Sequence, residues 1–147
     1  MATGRSAFLG EYQHALDDKG RLTVPSRLRG ALGDPFIVTR GLDDCLFVYP
    51  LAIWEGIAAQ LESLPFTASA PRAFARLFFS GATEVSPDRQ GRFLVPSALR
   101  EHAGLDKEAV IIGVGSRLEI WSAERWRAFQ DRARQEYQSL AEGLFRG

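Results

Sequence analysis

The chain has 147 residues, 46% hydrophobic and 24% charged, which suits one ordinary globular domain or two very small ones and excludes a mainly disordered chain. Lys plus Arg and Asp plus Glu each total 18, so the formal charge is zero and a uniformly basic, polyanion-binding surface is excluded. The single cysteine, Cys45, cannot form an intrachain disulfide, and nothing points to an oxidising compartment.

Met1–Ser6 lead into Phe8, Leu9 and Gly10 without a long apolar run, so no secretory leader is expected. No stretch approaches the roughly 18 apolar residues of a membrane helix, and a soluble cytoplasmic protein is expected. Residues 11–16 read as a short strand entering a turn. Asp17-Asp18-Lys19-Gly20-Arg21 supplies that turn, because Asp can bond backbone two residues on and Gly tolerates positive φ. A strand over 21–24 follows, then a helix with Pro25 in its first turn and Gly33 at its stop. Strands over 36–39 and 45–49 complete the unit. Leu51, Trp54, Ile57, Ala58, Leu61 and Leu64 form a helical stripe that ends before Pro65. Residues 67–71 read as the linker, and 72–79 as a short helix with Phe74, Leu77 and Phe78 on one face.

The second half repeats the first. DDKGRLTVPSRLRGALG at 17–33 and DRQGRFLVPSALREHAG at 88–104 share nine of seventeen residues, where average composition gives about one by chance. Strands are therefore expected again over 92–95, 109–112 and 118–121, with Pro96 and Gly104 bounding a helix. Leu46 to Trp54 face Leu118 to Trp126 further on. Two copies imply a tandem duplication with pseudo-two-fold symmetry rather than a solenoid. Ser122 is the expected N-cap of a last helix over 123–143, with Glu124 in its first turn, Trp126, Phe129, Ala133, Tyr137 and Leu140 as its apolar positions, and a frayed tail over 144–147. The neutral total hides two local cationic segments: Lys19, Arg21, Arg27 and Arg29 outnumber Asp17 and Asp18, and Arg89, Arg92 and Arg100 outnumber Asp88.

Asp17 and Asp88 are read as structural, holding the turn and orienting Arg21 or Arg92. For these arginines the motif chemistry leaves two roles open: contact with DNA, or an ion pair with that same Asp. Arg27, Arg29 and Arg100 read as solvated helix faces. His14 and His102 lack metal-ligand spacing, Gly113-Val114-Gly115 lacks the third glycine of a dinucleotide loop, and no nucleophile motif surrounds any Ser, so neither a cofactor nor an enzyme is expected. Cys45 reads as a small core residue. Trp54, Trp121 and Trp126 read as packing rather than base-stacking groups.

The runs FLGEYQHALDDKGRLTVPSRLR and GATEVSPDRQGRFLVPSALREHAGLDKEAVIIGVGSRLEIWSAERW, with paired Asp-x-x-x-Arg motifs at Asp17–Arg21 and Asp88–Arg92, resemble the MraZ family over about residues 7–130. The resemblance implies an α+β fold of two tandem AbrB-like (SpoVT/AbrB, swapped-hairpin) β-barrel modules with flanking helices, over 7–66 and 72–143. It implies a nucleoid-associated transcription regulator that binds double-stranded DNA at short G-rich direct repeats upstream of the division and cell-wall gene cluster, its own operon included. It also implies a homo-oligomeric ring, an octamer or larger. The DNA-facing set carried over is Arg21, Arg92, Lys19, Arg89, Gly20 and Gly91, with Asp17 and Asp88 as motif scaffolding. This sequence departs at Gln90, which stands where the first copy has Lys19; either the two motifs contribute unequally or Arg89 compensates from the adjacent position. A rival expectation is an antitoxin-like interaction module that holds a partner protein through the C-terminal helix, whose charges are Arg125, Arg127, Asp131, Arg132, Arg134 and Glu136.

Overall fold

The structure, a computed structural model, describes residues 8–145. The proposed module start at residue 7, the leader region and residues 146–147 of the expected tail lie outside the described residues. Strands β1 (Glu11–Ala15) and β2 (Arg21–Thr23) precede helix α1 (Ser26–Leu32), then β3 (Phe36–Arg40), β4 (Leu46–Pro50) and helix α2 (Leu51–Glu62). Helix α3 (Ser69–Ser80) bridges to β5 (Thr83–Val85), β6 (Arg92–Leu94), α4 (Ser97–Ala103), β7 (Glu108–Gly113), β8 (Leu118–Ser122) and α5 (Ala123–Phe145). The fold is α+β, with antiparallel strand pairing throughout the described sheets.

The halves exchange strands. The six-stranded sheet has the order β1-β7-β8-β4-β3-β5, so β1 of the first half pairs with β7 of the second, and β5 of the second pairs with β3 of the first. Exchanging each strand for its repeat counterpart reproduces the same order reversed, which is the pseudo-two-fold symmetry expected from the duplication. β2 and β6 form a separate two-stranded ribbon, registered Arg21 with Leu94, Leu22 with Phe93 and Thr23 with Arg92. The pseudo-axis passes through the Leu22–Phe93 pair.

Three layers result. Leu22 and Phe93 point inward from the ribbon, 1% and 5% exposed, and pack with Val24, Leu28 and Leu32 of the first half and Val95, Leu99 and Ala103 of the second. Phe93 also meets Phe36 edge-on, with ring centroids 5.4 Å apart. This core lies between one sheet face and the ribbon with α1 and α4. The opposite face carries Cys45, Phe47, Tyr49 and Trp121 beneath Trp54 and Phe78 of the α2–α3 pair and Trp126 and Phe129 of α5. Glu119 is buried on that face, but its carboxylate accepts from Arg117 Nε at 3.0 Å, Arg117 Nη2 at 2.7 Å and Trp121 Nε1 at 2.9 Å. A buried charge is tolerated when it is bonded in this way.

Local rules explain most element ends. Gly33 and Gly104 both take positive φ just past α1 and α4. Ser122 Oγ accepts from the Arg125 amide at 3.0 Å, so it caps α5 as expected. Within α2, residues 51, 54, 57, 58 and 61 are the half-buried ones, which matches the sequence stripe except that Leu64 is exposed beyond the helix end.

Several expectations need correction. Pro25 and Pro96 stand at the N-cap positions, one residue before their helices. Residues 69–71 are helical rather than linker, because α3 starts at Ser69; Pro71 falls in its first turn, where the missing N–H costs nothing. Phe78 is buried, whereas Phe74 and Leu77 are exposed. The last helix does not fray at residue 144 but continues through Phe145, with Tyr137 and Leu140 outside the core. Arg125 is half-buried and bonded to the Asp44 and His102 carbonyls rather than free. Strand β5 and the bridge between Phe8 and Gly115 were not legible in the sequence.

Interleaving has a thermodynamic consequence. Denaturant unfolding of the full chain is expected to give one transition by fluorescence and far-ultraviolet circular dichroism, and Phe93→Ala should cost about 3–5 kcal/mol by leaving a cavity on the pseudo-axis. Two separated transitions would mean that the halves fold independently.

Candidate nucleic-acid interface

The two Asp-x-x-x-Arg motifs form the turns that enter β2 and β6. In the first, Asp17 Oδ1 accepts from the Lys19 amide at 3.0 Å and the Arg21 amide at 2.8 Å, while Oδ2 accepts from Arg21 Nε at 2.7 Å. In the second, Asp88 Oδ1 accepts from the Gln90 and Arg92 amides at 2.9 Å each, and Oδ2 from Arg92 Nε at 2.8 Å. One carboxylate thus fixes both the turn backbone and the first guanidinium nitrogen of the arginine that follows. The i to i+4 spacing is what lets a single side chain reach all three donors. Gly20 and Gly91 supply φ values of 80° and 81° between Asp and Arg.

The ion-pair alternative and the contact alternative are compatible in this geometry. Asp engages only Nε of each arginine. Among the described residues, no hydrogen bond from the Nη groups of Arg21 or Arg92 is present. The arginine side chains remain 31% and 37% exposed, so their paired terminal nitrogens are available to an outside acceptor.

The ribbon places both arginines on one surface. Arg21, Thr23, Arg92 and Leu94 share its outer face, opposite Leu22 and Phe93. Arg21 and Arg92 are diagonal neighbours across the ribbon, so their Cα atoms lie about 7–8 Å apart. Leu94, 57% exposed, is an outward apolar group, as strict alternation around the inward Phe93 requires. Lys19 and Arg89 are exposed at the turn tips and flank this face.

Arg29 and Arg100 are not the solvated helix residues expected. Both are half-buried, and each lies against the glycine of the other half's turn. A Cβ on Gly91 would collide with the Arg29 guanidinium, and one on Gly20 with that of Arg100. The sequence signal was present, since the repeat conserves Leu-Arg in both copies, but nothing local indicated that the arginines cross between halves.

The other singled-out groups fall elsewhere. Cys45 is buried, its thiol pushed well up mainly by loss of water, and it donates to the Leu42 carbonyl at 3.1 Å. His102 lies 3.3 Å from the Gly41 carbonyl. No group of three or more His, Cys, Asp or Glu residues suited to a metal occurs among the described residues, and no described helix is long and apolar enough to cross a membrane.

Comparison with known proteins is consistent over nearly the whole chain. A family model described as "MraZ protein, putative antitoxin-like" matches twice, over residues 7–77 and 78–145. The chain is 56% identical over 137 residues, 93% of its length and 96% of the relative's, to a protein of Heliobacterium modesticaldum named Transcriptional regulator MraZ. A relative of the same name from Moorella thermoacetica is 55% identical over the same shares of the two chains. One from Symbiobacterium thermophilum is 54% identical over 136 residues, covering 92% of this chain and 99% of the relative.

The turn geometry sets a pH signature. The Arg21 amide, followed by its guanidinium and the Lys19 amide, holds the Asp17 carboxyl down at about 2 against its ordinary 3.8, and the same bonds lower Asp88. A depressed carboxyl stabilises the folded state when ionised. Its contribution is complete above the unfolded value near 3.8 and is lost as the pH falls through about 2. Carboxyl-carbon NMR should therefore show Asp17 titrating near the bottom of this window. Titration near 4 would mean that the turn bonds do not persist in solution.

Proposed function

The chain belongs to the MraZ family, whose matched relatives are transcriptional regulators rather than enzymes, and from that premise we propose that it regulates transcription by sequence-specific binding of double-stranded DNA through the outer face of the β2–β6 ribbon. The observation that carries this reading is the pair of arginines, Arg21 and Arg92, diagonal to each other on that face with Nε occupied by Asp and the terminal nitrogens without a hydrogen bond among the described residues. An Arg fork matches O6 and N7 of guanine in the major groove, which a two-stranded β ribbon can enter. The diagonal spacing is close to two base-pair steps of about 3.4 Å. The ribbon therefore suits two guanines in one short G-rich site.

The remaining roles follow from position. Lys19 and Arg89 meet phosphates on either side and set register without reading sequence. Gly20 and Gly91 are buried beneath the arginines of the opposite half and act through the positive φ they give the turns. Asp17 and Asp88 do not touch DNA, since carboxylates repel phosphate. Leu94 offers an apolar contact to a thymine methyl group. Gln90 stands where the first turn has Lys19, and Arg89 supplies the second tip's cation from the adjacent position.

The exchanged strand order supports classing the two modules, over 7–66 and 72–143, as AbrB-like swapped-hairpin barrels. One ribbon with a few cations binds weakly. Assembly into a homo-oligomeric ring of eight or more chains would present many ribbons to spaced direct repeats at high effective concentration, and this lets a chain of zero net charge bind DNA. The targets are G-rich direct repeats upstream of the division and cell-wall gene cluster, including the regulator's own operon, which places the protein in the cytoplasm on the nucleoid. The antitoxin-like description of the family model supports a second reading, in which the α5 surface holds a protein partner and DNA binding is secondary.

Arg21→Ala and Arg92→Ala should each lower affinity for the upstream duplex roughly ten- to hundredfold at unchanged oligomer mass. A salt series should show a steep linear fall of log affinity, and Gln90→Lys should raise affinity and steepen that slope. Equal, weak binding to native and scrambled duplexes would leave only phosphate attraction and favour the partner-protein reading.

A further inference from the structure

The duplicated Pro-Ser-x-Leu-Arg run ends in Arg29 on α1 and Arg100 on α4, outside both Asp-x-x-x-Arg motifs. Arg29 spans the two halves. Its Nε donates to the Val24 carbonyl at 2.8 Å, and its Nη2 donates to the Gln90 carbonyl at 2.7 Å, 61 residues away. Gln90 lies inside the second recognition turn, between Asp88 and Arg92. The next carbonyl, that of Gly91, accepts from the Val24 amide at 2.8 Å. Two successive peptide groups of the second turn are therefore held by the first half. The mirror arrangement is looser. The Gly20 carbonyl accepts from the Val95 amide at 3.0 Å, and the Arg100 guanidinium covers Gly20, but no hydrogen bond from the Arg100 side chain is present among the described residues.

We infer that Arg29 and Arg100 are positioning residues for the recognition turns, each setting the turn of the opposite repeat, with Arg29 exerting the firmer hold. The inference rests on the reading of Arg21 and Arg92 as the DNA contacts. Its physical content is independent of that reading, because it concerns which residue fixes which turn. Arginine suits the task because a planar fork holds two carbonyls at a fixed separation, whereas a lysine offers one flexible ammonium. Glycine at 20 and 91 is then doubly required, by positive φ and by the guanidinium stacked where a Cβ would stand. The arrangement couples the two contacts: the aim of Arg92 depends on α1, and the aim of Arg21 on α4.

The test uses the full chain with two readouts. In the free protein, Arg29→Ala and the charge-retaining Arg29→Lys should speed amide hydrogen exchange at Gln90 and Arg92 about tenfold, while Lys19 and Arg21 stay unchanged. Unchanged exchange at Gln90 and Arg92, or an equal rise in both turns, overturns the proposal. With the upstream duplex, the loss in Arg29→Ala should be largely absorbed when combined with Arg92→Ala but should multiply with that of Arg21→Ala. Full multiplication with both, or a salt slope reduced by about one, would show that Arg29 meets DNA on its own account and also overturns it. If Arg92→Ala alone leaves affinity intact, the DNA-contact reading fails, and the exchange experiment still decides whether Arg29 positions the turn.

Discussion

The antiparallel pairing of Leu22 with Phe93 is the contact on which the rest of this molecule depends. β2 and β6 are three residues each and belong to different copies of the repeat, so neither makes a ribbon within its own half. Their inward side chains are the centre of the larger core, and burial of each contributes about 1.5–3 kcal/mol. Their outward side chains are the two motif arginines. The same pairing that closes the core brings Arg21 and Arg92 to one surface, and a single repeat would present only one of them.

The Asp-x-x-Gly-Arg turn solves a local problem with few groups. Asp17 and Asp88 hold their arginines in place by binding Nε and two turn amides, and the terminal nitrogens have no hydrogen bond among the described residues. The proposed base reading requires an arginine held in this way, aimed without being used up. The two copies use the same bonds at nearly the same distances, yet their surroundings differ. The first turn has Lys19 at its tip, the Arg100 guanidinium packed behind it and its Gly20 carbonyl bonded to the Val95 amide. The second has Arg89 and Gln90 at its tip and a doubly bonded Arg29 behind it. Over residues 17–21 the charges cancel, whereas residues 88–92 carry a net +1.

Much of this was legible in the sequence because it is local or repeated. The Asp, Gly and Pro positions gave the turns and helix ends, the α2 stripe predicted its half-buried residues, Ser122 capped α5, and the duplication implied pseudo-symmetry. What stayed hidden is long-range. Strand exchange leaves no local trace, because β1 pairs with β7 by the same alternation that would serve pairing within its own half. Residues 69–71 read as linker because Pro71 and Ser69 are turn formers, but both also suit a helix's first turn. Arg29 and Arg100 read as solvated because a helix stripe shows a face and not what crosses it. The Glu119 network was invisible for the opposite reason: Arg117, Glu119 and Trp121 alternate on one strand face, but the first copy has Phe47 in place of Glu119, and the repeat gave no cue to a buried charge.

Hydrogen-exchange footprinting with the upstream duplex tests whether DNA lies on the outer face of the β2–β6 ribbon, as proposed. Protection concentrated in residues 17–23 and 88–94, absent with a scrambled duplex at the same salt, is the predicted result. Protection centred on α5 or on the α2–α3 pair, with both turns unchanged, would contradict it.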